Sequence, residues 1–301
     1  MKFVLRMLMI CLYSGFVIGG MFLLSLQFNF FTVTDSAEQV TAVTAVDTQV
    51  IESKYDPSGA LSELREHVQS NSNYMVQCHA EVHVIGNRAY SELKDEAYQF
   101  VDPMCGGGYL HGVIEQAFLY NGLNYMSDVV HKQCSGVIEE SCLHGIGHGV
   151  HQVVGDVKDS VEICSQVAST NTDCYDGVFM DVFDMEGSAS KQQLTPEDGI
   201  LLCEETTIVS GNSCYFYLPR ILSSSSPSSI TDLCSSAEIK DGWAACAQGS
   251  GVFFMKYTSG FNKEIALSYC NLYDDKNLNT LCSNGVNDYE QYGDVENIHW
   301  R

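Results

Sequence analysis

The sequence predicts an all-α fold: disulfide-stapled helical hairpins repeated into an α/α solenoid or toroid, behind an N-terminal transmembrane signal anchor. Three observations carry this expectation. Cysteines recur in pairs 8 to 12 positions apart. The pairs themselves recur every 32 to 40 residues, the length of a helix-turn-helix repeat unit. The segments that lead into each first cysteine are amphipathic with helical spacing, as in Asp159–Cys164 and Glu264–Cys270.

Taken in order, the 301-residue chain opens with a basic tip, Lys2 and Arg6, followed by an uncharged apolar run from Met7 to Phe31. That run is long enough to cross a bilayer and longer than the apolar core of a cleavable signal. Acidic Asp35 and Glu38 follow it, so residues 1–31 read as an anchor that leaves the bulk outside the cytoplasm, periplasmic, extracellular or lumenal. Residues 32–60, rich in Thr, Val, Ala, Asp and Gln, read as a flexible stalk. Residues 61–301 form the exported repeat domain.

Thirteen cysteines are present. Cys11 lies in the anchor, which leaves twelve for an oxidising compartment, where an even number implies bridges. The spacing pairs Cys134 with Cys142, Cys164 with Cys174, Cys203 with Cys214, Cys234 with Cys246, and Cys270 with Cys282. Cys78 and Cys105 remain, and pair across a longer loop. In each unit one helix ends at the first cysteine and a second opens near the other, so the bridge closes the hairpin. An unstrained bridge contributes roughly 2–4 kcal/mol. Thiolate zinc knuckles use much shorter gaps between ligands. The period is similar to that of tetratricopeptide and Sel1-type helical repeats, whose consensus residues are absent here; the resemblance implies a shared stacked-hairpin architecture and not membership. Pro196-Glu197-Asp198-Gly199 interrupts one unit, and the serine-rich run Ser223–Ser229 reads as a connection.

Within this frame, histidines fall in a regular pattern. His79 and His83, His111 and Glu115, and His144 and His148 form three i, i+4 pairs beginning 32 and 33 residues apart. Residues four apart share one helix face, so the pairs place metal-type donors on three neighbouring helices. At the same places later units carry Asp176, Phe216, Gln248 and Asn284, so the donors are concentrated in one half of the chain. Helical bundles carry metal ligands inward from facing helices in this way. The predicted ligands are His79, His83, His111, Glu115, His144 and His148. Six donors exceed one tetrahedral site and suit two ions, or one ion with surrounding partners. Nitrogen and oxygen donors without thiolate fit a divalent transition metal, zinc or iron first and copper also, and do not fit calcium. Haem held by two histidines is the weaker alternative, since no Cys-x-x-Cys-His motif is present. Asp176 and Asp181 are candidates to accept the second ring N–H of a ligand histidine. Gly112, Gly145, Gly147 and Gly149 beside the donors imply close helix approach, or room for a metal and substrate.

His67, His131, His151 and His299 lie off this pattern, although His151, three residues after His148, reaches the edge of the site. Gly249-Ser250-Gly251 lacks the surroundings of a nucleophile elbow, and Gly106-Gly107-Gly108 reads as a turn. The net charge of −23 excludes nucleic acid as a partner, because a phosphate binder needs a basic surface. The functional expectation is a membrane-tethered exported metalloprotein with a one- or two-metal site. If it is an enzyme, metal-bound water or oxygen is the reagent and Glu115 is either a ligand or a general base; the donor set does not separate hydrolysis from oxidation. The alternatives are a non-enzymatic scaffold that binds a protein partner on its helical surface, or a metal storage or delivery protein.

Overall fold

In a computed structural model the described residues are 55–70, 75–134, 139–167, 172–183, 194–222, 225–236 and 242–293. The expected anchor at 1–31 lies outside them, and so does most of the stalk. Among the described residues every regular element is a helix. No helix there is long and apolar enough to cross a membrane.

The first helix, α1 (Pro57–Ser70), starts inside the segment expected to be stalk. Proline at the first helical position is pre-set for a helix start, and Pro57, Leu61 and Leu64 are buried. Two inner helices come next, and from the second of them onward inner and outer helices alternate. The inner set is α2 (Met75–Leu93), α3 (Gly108–Asn121), α5 (Glu139–Val154), α7 (Thr172–Phe183), α9 (Ser213–Tyr217), α11 (Trp243–Phe253) and α13 (Lys276–Tyr292). Each inner helix packs on the next one in this order. The outer set is α4 (Met126–Gln133), α6 (Val157–Cys164), α8 (Pro196–Ser210), α10 (Pro227–Cys234) and α12 (Lys263–Cys270). Each outer helix packs on the inner helix that follows it.

The two sets differ for physical reasons. Outer helices other than α4 are capped by their own side chains: Asp156 accepts from Asp159 N at 3.0 Å, Asn262 from Ile265 N at 3.1 Å, and Thr195 and Asp198 form a reciprocal capping box on α8. The inner helices α3, α9 and α11 have no side-chain cap. They are buried on nearly every side, as expected of a helix without a polar face. Bridges tie their starts instead. All six form: Cys78–Cys105, Cys134–Cys142, Cys164–Cys174, Cys203–Cys214, Cys234–Cys246 and Cys270–Cys282. Helices α6, α10 and α12 end at the first cysteine of their pair, whereas α8 runs on past Cys203 to Ser210. Six bridges in one domain belong to an oxidising, extracellular or lumenal compartment.

Glycine sets the distance between inner helices. A Cβ on Gly112 would overlap the His83 carbonyl oxygen, and one on Gly86 would overlap the Tyr109 carbonyl. The same reciprocal contact joins Gly147 of α5 to Gly177 of α7. These contacts also fix the register. Gly108 meets His79 and Gly112 meets His83, while Gly145 meets His111 and Gly149 meets Glu115. The inner helices therefore run parallel, with His83, His111 and His144 close to one level.

Candidate metal centre

Three inner helices deliver the donors. Helix α2 carries His79 and His83, α3 carries His111 and Glu115, and α5 carries His144 and His148. One nitrogen from each of His79, His83, His111 and His148 lies within 4.8 Å of the others. Three of the four residues are buried, and His83 is half-buried.

The other nitrogen of each ring is held from outside. His79 Nδ1 donates to the Cys105 carbonyl at 2.7 Å. His83 Nδ1 lies 3.1 Å from Glu115 Oε1, and His148 Nδ1 lies 3.6 Å from the same oxygen. His111 Nε2 pairs with Ser141 Oγ at 3.1 Å. A carbonyl and a carboxylate can only accept, so the protons of His79 and His83 belong on Nδ1. Their Nε2 atoms then face each other as lone pairs, 2.9 Å apart. Two lone pairs at that distance repel unless a cation, proton or metal, stands between them. His111 Nδ1 and His148 Nε2 are buried without a hydrogen-bond partner, an arrangement that costs about 1–3 kcal/mol per group unless satisfied. Lone pairs held in place by partners on the far nitrogen are the usual preparation of a histidine metal site.

Electrostatic shifts mark His111 and Glu115 within the group. Burial, followed by the neighbouring His144, His83, His79 and His148, holds His111 well below the ordinary histidine pKa. It therefore stays neutral and able to ligate. Burial alone would raise the Glu115 pKa, but the His83 and His148 imidazoles outweigh it and hold the carboxyl below its ordinary value. The ionised Glu115 supplies negative charge beside a bound cation.

The donor set fits a metal ion. A tetrahedral ion with metal–nitrogen bonds of about 2.05 Å sets its ligand atoms about 3.3 Å apart. The group is on that scale: the His79 and His83 Nε2 atoms are 2.9 Å apart and one nitrogen of each of the four rings lies within 4.8 Å of the others.

The remaining expected residues fall around this group. Glu115 faces the outer nitrogens of His83 and His148 rather than their inner edges. His144 stands one ring away, stacked on His111 at a centroid distance of 4.9 Å, with Nε2 3.3 Å from Met180 Sδ. The register explains its place: α2 supplies a histidine at His111's level and another a turn below, and His148 comes down from the turn above. Asp181 on α7 is buried, with Oδ1 4.0 Å from His148 Nδ1. Asp176 is also buried on α7, next to Gly177, which abuts the His144 carbonyl.

Several partners carry no sequence signature. The Cys105 carbonyl and the Ser141 hydroxyl are generic groups, visible only once the chain folds. His151 and Gln152 both bond Asp181, through His151 Nδ1 to Oδ2 and Gln152 Nε2 to Oδ1 at 2.9 Å. The three-residue step from His148 to His151 was the one hint of this contact.

No protein-family model, curated protein or solved structure matches this chain. The site therefore stands on its own geometry.

Proposed function

We propose that the protein is an exported metal-binding protein. Its buried centre holds one divalent transition-metal ion on His79, His83, His111 and His148. The facing Nε2 lone pairs of His79 and His83 carry this reading, because their outer nitrogens are already committed to acceptors. A single ion is supported by the one four-histidine group among the described residues, with Glu115 on the outer nitrogens of His83 and His148 and His144 stacked against His111. Four neutral imidazoles suit zinc or copper; iron sites draw more on carboxylate. Four protein ligands fill a tetrahedral shell and leave no position for substrate, the hallmark of a site that keeps its metal. Retention or storage of the ion, rather than turnover, is the role this supports. The stacked hairpins form a solenoid around the centre, residues 1–31 tether it to the membrane, and its acidic surface attracts cations.

The test is elemental mass spectrometry on the full-length, untagged, oxidised chain. One equivalent of a single metal in the wild type, lost in the double variant His83→Ala and His148→Ala, is the expected result. No metal in folded wild type, even after reconstitution, overturns the proposal.

A further inference from the structure

A store that surrounds its ion with four protein ligands needs a means of release. The segment just before α3 supplies one. In the turn Met104–Gly107, Cys105, Gly106 and Gly107 are all left-handed, with φ of 54°, 72° and 74°. Glycine adopts that conformation freely, whereas the Cβ of Cys105 is crowded there. Among the described residues Cys105 is the one bridged cysteine with a positive φ. It is also half-buried, while the last four bridges of the chain have both cysteines fully buried. Its partner Cys78 is fully buried and directly precedes His79 on α2. The turn braces three of the four ligands. The Cys105 carbonyl accepts from His79 Nδ1 at 2.7 Å. A Cβ on Gly107 would overlap Ser141 Oγ, the group that pairs with His111 Nε2. A Cβ on Gly108, the next residue, would meet His83 Cδ2. The Cys78–Cys105 bridge is the covalent tie between this turn and α2.

Resting on the metal reading above, we propose that the Cys78–Cys105 bridge is a redox latch on the centre: closed, it retains the ion, and opened by a dithiol reductant, it releases it. A thiolate of the reductant attacks the sulfur of Cys105, the less buried residue of the pair. The S–S bond breaks, and Cys78 leaves as a thiolate that takes a proton. The second thiol of the reductant then closes on the mixed disulfide and frees Cys105. The bridge gains two electrons and two protons, and the dithiol gives them up and ends as a disulfide. Exposed and strained bridges are the labile ones. With the tie gone, Cys105 leaves the left-handed region, its carbonyl leaves His79, and Gly107 leaves Ser141. Loss of one outer partner weakens a histidine site roughly 10- to 100-fold, and here the partners of two ligands are disturbed together. The coupling is reciprocal: the bound ion makes the bridge harder to reduce by the same factor, about 30 mV for each tenfold.

The experiment treats the full-length, oxidised chain, zinc-saturated or metal-free, with graded dithiothreitol under argon, alkylates the free thiols and maps them by peptide mass spectrometry. Cys134–Cys142 is the internal reference: Cys134 is also half-buried, but its φ is an ordinary −90°. The Cys78–Cys105 bridge is expected to open first, at a potential lower by about 30 mV or more when zinc is bound, the equivalent of tenfold. After anaerobic removal of the dithiol, zinc affinity measured against a chromophoric chelator is expected to be at least tenfold weaker than in the oxidised protein. The double variant Cys78→Ser and Cys105→Ser removes the tie without offering new thiolates, and is expected to lose the same factor. Should that variant not fold, the reduced wild type decides alone. Opening of another bridge as early as Cys78–Cys105 overturns the latch and leaves the metal reading standing. Zinc affinity that is unchanged or tighter after selective reduction does the same. An oxidised wild type that binds no zinc overturns the metal reading and the latch with it.

Discussion

Glu115 offers the sharpest test of how the centre is held. A single oxygen, Oε1, serves the outer nitrogens of two of the four ligands, at 3.1 Å from His83 and 3.6 Å from His148. Glu115→Gln keeps an acceptor of the same shape and removes the charge. Glu115→Ala removes both and leaves two ring N–H groups facing a buried gap. Loss of an outer partner of a ligand histidine costs roughly 10- to 100-fold in metal affinity. Because both contacts go through one carboxylate, Glu115→Gln should fall at the low end and Glu115→Ala at the high end, about 1.4 and 2.7 kcal/mol respectively. Competition against a chromophoric chelator at neutral pH and fixed ionic strength measures both. Wild-type affinity in both variants would refute the role assigned to the carboxylate. A Gln variant weaker than the Ala variant would refute the proton placement, since it would mean that the amide N–H meets a ring N–H that should have met an acceptor.

The Cys78–Cys105 bridge fixes the carbonyl that receives His79 Nδ1; replacing both cysteines by Ala should weaken metal binding. By chain entropy alone, loss of its 27-residue loop costs about 3.6 kcal/mol. The 10-residue Cys164–Cys174 bridge should cost about 2.7 kcal/mol and leave metal affinity near wild type; chemical denaturation and chelator competition separate the two effects. Gly112→Ala drives a Cβ into the His83 carbonyl, so about 1–3 kcal/mol of overpacking is expected, with weaker metal binding as α2 and α3 part. The pH dependence has a defined sign. The folded-state pKa values of His111 and Glu115 both lie below their unfolded values. Their contributions are complete at neutral pH, and the unfolded chain takes up the protons first on acidification. The thermal midpoint of the apo-protein should therefore fall as pH drops from about 6.5 through the carboxylate range; a rise over that window would contradict the assignment.

The hairpin period, the bridges and the donor helices are legible in the sequence because each depends on spacing along one chain. A bridge 8 to 12 residues long leaves little choice of partner, and an i, i+4 pair shares a face whatever the tertiary structure. What spacing does not carry is register between helices. Counting from the cysteines puts His79, His111 and His144 at one level. Cys78 departs from the others, bridging forward to Cys105 instead of closing a hairpin behind it. The glycine contacts then set His83, not His79, beside the level of His111. That one-turn shift admits both histidines of α2 and leaves His144 against Met180. Glycine had two readings in the sequence, close packing or open space; the contacts at Gly112 and Gly147 answer for close packing.

The second half of the chain shows what the scaffold does without the histidine pairs. Gly251 and Gly285 make the same reciprocal approach between α11 and α13 that Gly86 and Gly112 make between α2 and α3. The side chains there are not metal donors in facing pairs. Gln248 Nε2 donates to Asp288 Oδ2 at 2.9 Å, and Arg220 Nη2 donates to the Tyr257 hydroxyl at 2.9 Å. Glycine contacts and bridges therefore bring those helices together without facing histidine pairs. Because the same devices operate around the histidines, the proposed metal binding should be separable from folding, unlike small domains whose zinc supplies most of the folding energy. Treating the loaded protein with a strong chelator should release the ion and lower the thermal midpoint, since a ligand bound only to the native state stabilises it in proportion to its occupancy. The far-ultraviolet helical signal at 25 °C should stay unchanged. Reduction of the bridges should do the opposite, removing helix even while metal is supplied. Loss of the helical signal on chelation alone would show that the ion, and not the glycine-spaced and bridged hairpins, holds the three donor helices in register.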